Sequence, residues 1–101
     1  MQTQVVEIVR FQLNEGVSED AFVKAAEASN AFATKQAGFI SRSLSNTEDG
    51  EWVDHIVWAS MDDAAAAGKA FPGDPTTQDL MAAIKPGSVD MQHLVQKMAA
   101  A

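Results

Sequence analysis

Apolar residues alternate through residues 51–60, EWVDHIVWAS, so that neither face is polar. Trp52, Ile56 and Trp58 fall on one side with Asp54 among them. Val53, Val57 and Ala59 fall on the other with His55. Side chains alternate across a strand, so this run needs apolar cover on both faces. In a chain of 101 residues, helices supply one cover, and a second copy of the chain is expected to supply the other.

The same pattern recurs at residues 5–13, the expected first strand. Val5, Val9, Phe11 and Leu13 share a face with Glu7, and Val6 and Ile8 share the other with Arg10 and Gln12. The spacing then switches to a helical period. Ser18 is placed to cap a helix, with Glu19 and Asp20 favoured in its first turn by the helix dipole. Phe22, Ala25, Ala28 or Ser29, and Phe32 form its expected buried stripe. Lys35 suits the last turn, and Gly38 is the expected left-handed stop.

Residues 39–47 predict a second strand, joined to the third by the acidic turn Glu48-Asp49-Gly50. Ser60 and Asp63 predict the start of a second helix, rich in alanine, that stops at Phe71-Pro72-Gly73. Asp74-Pro75 restarts it, with Leu80, Met81 and Ile84 as its apolar side. Pro86-Gly87 ends it, and residues 88–97 predict a last strand with Val89, Met91, His93 and Val95 on one face. Met98 and the three alanines after it are expected to fray.

Strand, helix, strand, strand, helix pair, strand is the split β-α-β order of a ferredoxin-like α+β fold. Right-handed crossovers predict an antiparallel four-stranded sheet in the order 4-1-3-2, with all helices on one face. Strands one and three are then central, and they are the two that are apolar on both sides. Val6, Ile8, Val53 and Val57 would form a patch on the bare face, and such a patch marks an interface. We therefore expect a homodimer, sheet against sheet, with Arg10 and His55 also at that interface.

Size adds that residues 1–101 make one domain. The start, MQTQVVEIVR, lacks a basic segment followed by an apolar one, so no signal peptide is expected. No apolar run is long enough for a bilayer. With no cysteine in the chain, a reducing compartment fits, and the cytoplasm is the expected location. A net charge of −7 and seven scattered basic residues exclude the basic stripe that nucleic acid requires. Two histidines far apart do not make a metal spacing, and there is no glycine-rich phosphate loop or serine nucleophile motif.

Three passages resemble the dimeric α/β-barrel superfamily, in particular its antibiotic-biosynthesis-monooxygenase-like branch. They are VVEIVRFQLNEGVSEDAF at residues 5–22, Ala37-Gly38-Phe39, and GEWVDHIVWASMDDA at residues 50–64. An aromatic residue near the end of strand three, followed by Ser and an acidic helix start, is typical of that superfamily. The resemblance implies a homodimer with a pocket between helices and sheet in each subunit. It also implies activities such as oxidation of aromatic polyketides without metal or flavin, haem degradation and lactone isomerisation. Trp58 stands where haem-degrading members carry a pocket Trp. Those members also use an Asn in strand one and a His near the end of the second helical region. Val9 and the neighbourhood of Ala83-Ile84 stand at those places here, a departure that counts against haem degradation.

Glu7, Trp58 and His93 are expected on the helix-facing side of neighbouring strands. Glu7 and His93 make a candidate acid–base pair, the carboxylate fixing the imidazole tautomer while His93 acts as base. Trp58 would be the flat wall for an aromatic ligand, with Asp54, Phe32 and Met91 along the same cleft. Asp54 is expected near the hairpin end, largely solvated. The first expectation is a cofactor-free monooxygenase-like enzyme for a small aromatic or apolar metabolite. The alternative is a non-catalytic ligand-binding or stress-responsive dimer, in which His93 and Trp58 only fill and stabilise the core.

Overall fold

The structure is a computed structural model that describes residues 3–101; Met1 and Gln2, the start of the segment read for a signal peptide, lie outside the described residues. Four strands, β1 (Val5–Phe11), β2 (Phe39–Asn46), β3 (Trp52–Trp58) and β4 (Asp90–Val95), form one antiparallel sheet in the order β2-β3-β1-β4. This is the 4-1-3-2 order expected from the sequence. Three helices, α1 (Glu19–Ala33), α2 (Met61–Ala70) and α3 (Gln78–Ala83), complete the α+β ferredoxin-like fold.

Each strand is shorter than its apolar pattern. β1 ends at Phe11, and Leu13 makes only an isolated bridge to Ile84. β4 likewise loses both ends of its expected span. Pairing sets these limits, because a strand lasts only as long as its neighbour offers partners.

Ser18 caps α1, its Oγ accepting from the Ala21 amide at 3.1 Å, and Ser60 does the same for α2 through the Asp63 amide at 3.1 Å. The buried stripe of α1 is Phe22, Ala26, Ser29, Phe32 and Ala33. It passes through Ala26 rather than Ala25, and Ser29 rather than Ala28. A helix lying along a sheet buries residues spaced by three and four, and four separate Phe22 from Ala26. Lys35 falls outside the helix, in the turn that follows its cap Thr34. Gly38 has φ +80, and a Cβ there would run into the carboxylate of Asp63. Glycine therefore does two things here: it reverses the chain into β2 and admits the first turn of α2.

The helical restart at Asp74-Pro75 is real but tighter than expected. Two 3-10 turns, Phe71–Gly73 and Pro75–Thr77, precede a single short α3. The Asp74 carboxylate accepts from the Thr76 hydroxyl and amide, which hold its pKa below the ordinary carboxylate value. Thr77 is fully buried and donates to the Phe71 carbonyl at 2.6 Å, tying the two turns together. α3 stops at Ala83, before Ile84 and Lys85. Pro86 favours an extended Lys85, and the Lys85 amide bonds to the Gln12 carbonyl at 2.8 Å instead of continuing a helix.

The core lies in two parts. Val5, Ile56 and Trp58 meet Phe32, Ala33, Ala64 and Ala67 at one end. Phe11 and Trp52 meet Phe22, Ala26 and Leu80 at the other, with Phe22 edge-on to both aromatic neighbours. Polar residues divide the two, as described next. β4 has no such cover: Met91 is 51% exposed and Val95 48%. On the far face of the sheet, Ile8, Val53 and His55 are half-buried and Arg10 is exposed, 4.0 Å from Glu51. Val57, expected in the open patch there, is 8% exposed within the single chain. Its place on a central strand lets flanking side chains cover it, so it offers little surface to a partner.

Candidate functional site

Inward positions of β1 run Val5, Glu7, Val9, Phe11, and those of β3 run Trp52, Asp54, Ile56, Trp58. Polar residues therefore interrupt the apolar face in mid-sheet. Ser29 interrupts the stripe of α1 at the matching height, between Ala26 and Phe32. Charged and hydrogen-bonded groups cannot be packed solid with alkyl chains, so the two core clusters stay apart. Between them lies a cavity of about 430 Å³. Its walls are mostly apolar and include Val9, Phe11, Phe32, Ile56, Trp58, Phe71, Leu80 and Met91. Four charged residues also line it: Glu7, Arg42, Asp54 and Lys85.

Arg42 and Asp54 are locked together. Nε and Nη2 of Arg42 donate to the two carboxylate oxygens of Asp54 at 3.0 and 2.8 Å. Nη1 donates to Ser29 Oγ at 2.7 Å, Asn30 Oδ1 at 3.0 Å and the Ala26 carbonyl at 3.3 Å. The guanidinium thus joins the β2–β3 hairpin to α1, and both side chains are only 10% exposed. A bidentate fork of this kind is short and directional. Asp54 is therefore not solvated near the hairpin end, as its place in the sequence implied. It is buried, because the inward position of Arg42 gives it a partner.

Glu7 and His93 face each other directly across β1 and β4. His93 Nε2 lies 3.2 Å from Glu7 Oε1. An ionised carboxylate only accepts, so this contact puts a proton on Nε2. Glu7 lines the cavity with its side chain 13% exposed, whereas His93 is 30% exposed and stands behind Glu7, off the cavity wall. Trp58 pairs with Val5, two residues along the same face from Glu7. Its ring stands edge-on to Phe39 at 5.9 Å, and its indole N–H is buried with no acceptor among the described residues. Such an orphan donor costs about 1–3 kcal/mol.

Of the residues expected to form the site, Glu7, Trp58, Asp54, Phe32 and Met91 do line one cavity. Arg42 was missed, because in the sequence it is one of seven scattered cations. The signal was the hairpin register: Arg42 pairs with Ile56 and Asp54 with Leu44, which makes Arg42 and Asp54 diagonal neighbours on the inward face. No group of three or more His, Cys, Asp or Glu that could hold a metal occurs among the described residues. No helix among them is long and apolar enough to cross a membrane.

No family model matches this sequence, and no curated protein matches it either. Solved structures do. SnoaB, a cofactor-independent oxygenase from Streptomyces nogalater, superposes with a TM-score of 0.77 at 22% identity, covering 96% of each chain. ActVA-Orf6, a monooxygenase of Streptomyces coelicolor solved with nanaomycin D, gives 0.69 at 16% identity over 98% of this chain and 92% of its own. This chain shares its fold with these antibiotic-biosynthesis-monooxygenase-like structures. A Nitrosomonas europaea protein of unknown function shares it as well, at a TM-score of 0.69 and 14% identity over 99% of this chain and 95% of its own. Within one fold, activity is a matter of what each cavity holds.

Proposed function

We propose that this chain is a cofactor-free monooxygenase-like enzyme for a small aromatic or apolar metabolite. One observation carries the reading: a carboxylate backed by a histidine faces a mostly apolar cavity between helices and sheet. The cofactor-independent oxygenase activity of SnoaB and the ligand of ActVA-Orf6 support it. Glu7 takes a proton from an acidic C–H of the substrate and later returns it to the peroxide, while the Nε2–H of His93 keeps the carboxylate aimed into the cavity. The carbanion gives an electron to dioxygen, and the two radicals combine into a C–O–O bond. Loss of water from the hydroperoxide leaves a ketone, so one O₂ oxidises a CH₂ to C=O and yields one H₂O. A dry wall around the carbanion keeps it from being reprotonated by water. Trp58 supplies the stacking surface.

Anthrone is a suitable probe, because oxidation at its CH₂ gives anthraquinone. With EDTA present, the protein is expected to accelerate anthraquinone formation, consuming one O₂ per product on an oxygen electrode. Binding of anthrone without acceleration would instead make the chain a ligand-binding protein of the same fold.

The dimer belongs to the same reading. Ile8, Val53 and His55 leave a half-buried, largely apolar face on the sheet side opposite the helices. Light scattering on a sizing column is expected to give twice the single-chain mass of 10.8 kDa. A compact species of single-chain mass at micromolar concentration would refute the dimer.

A further inference from the structure

The charges on the cavity wall sum to zero but are not all paired with one another. Arg42 and Asp54 neutralise one another, and Glu7 is held by His93. Lys85 is the one charged residue lining the cavity that joins no ion pair among the described residues. It is exposed and follows α3, next to Pro86, where the uncovered Val89, just before β4, and Met91 of β4 also reach the cavity. An exposed lysine on a cavity wall marks the mouth, since its ammonium stays in water while its stem lies along apolar surface. Its backbone is fixed there by the bond from the Lys85 amide to the Gln12 carbonyl.

We propose that Lys85 selects ligands carrying an acid group, so that the metabolite is an apolar ring system with a carboxylate at the outward end. The rings lie against Trp58, Phe32 and Ile56, and the carboxylate meets Lys85 at the mouth. Arg42 cannot serve this purpose, because all three guanidinium nitrogens are already committed inside the wall. The overall charge of −7 repels anions at long range. A single unpaired cation at the opening then supplies attraction only to an acid already docked by its rings. The inference rests on the cavity being a ligand site, as in the proposed function, and goes on to name what the ligand carries.

2-Naphthoate and 2-naphthamide share one ring system and differ in charge, which makes them the probes. Each is titrated into the full chain while tryptophan fluorescence is followed, at low and at high salt. The naphthoate is expected to bind about 1.4- to fivefold more tightly than the amide, the range for a solvent-exposed ion pair. Lys85→Gln is expected to erase that preference without changing the affinity for the amide. Lys85→Glu is expected to reverse it, and added salt to shrink it. Equal binding of the two probes by the native chain would overturn the proposal, as would a preference that survives in Lys85→Gln. Failure of both probes to bind is a different result: it refutes the ligand cavity itself, and the role of Lys85 with it.

Discussion

Glu7→Gln is expected to lower the turnover of anthrone by about 10²–10⁴-fold, the usual range for loss of a general base. The amide keeps the size of the carboxylate and keeps an oxygen for His93 Nε2 to donate to, but it cannot take a proton. The cavity should therefore survive, and the naphthamide probe should bind as before. His93 acts through Glu7, at 3.2 Å, without lying on the wall. His93→Ala is expected to cost less than Glu7→Gln, to alter the pH–rate profile, and to be partly rescued by added imidazole. The measurement is steady-state anthraquinone absorbance as a function of pH. Full activity in Glu7→Gln would remove the proposed base. Equal and pH-independent losses in both variants, without rescue, would reduce the pair to a structural contact.

Arg42→Met is expected to destabilise the fold by about 3–5 kcal/mol, because it leaves the carboxylate of Asp54 buried and uncompensated. Ser29 Oγ and Asn30 Oδ1 lose their donor in the same step. For a domain whose whole stability is about 5–15 kcal/mol, that is a large share. The double variant Arg42→Met with Asp54→Leu is expected to recover most of the loss, since replacing both members of a buried pair by apolar residues is often nearly neutral. Urea denaturation of native, single and double variants measures both quantities. A single variant within about 1 kcal/mol of the native chain would mean that water reaches Asp54, and that the pair does not hold α1 to the sheet.

These two experiments separate the halves of the polar seam. Glu7 and His93 were readable as a pair once the strand order was known, because their faces follow from alternation and their strands are neighbours. Their roles were not readable in the same way. The sequence pointed to His93 as the base, whereas the geometry puts Glu7 on the wall and His93 behind it. Which of two paired groups faces a cavity depends on how far the helices reach across the sheet. Here they stop short of β4, leaving Met91 and its neighbours half in water. Asp54 was misplaced for a related reason: its environment is set by Arg42, twelve residues away, and by Ser29 on another element.

The two-faced apolar pattern of residues 5–13 and 51–60, the capping serines Ser18 and Ser60, and the glycine at Gly38 were enough for the element order and the sheet order. These are local signals, and a handedness rule turns them into topology. The cavity and its charges were decided only by tertiary structure. Strand register brought Arg42 diagonally opposite Asp54, and the height of Ser29 on α1 matched the polar rows beneath it. Periodicity records which side of an element faces inward; how far apart two inward faces stand, and which charges meet there, depends on contacts between residues remote in the chain.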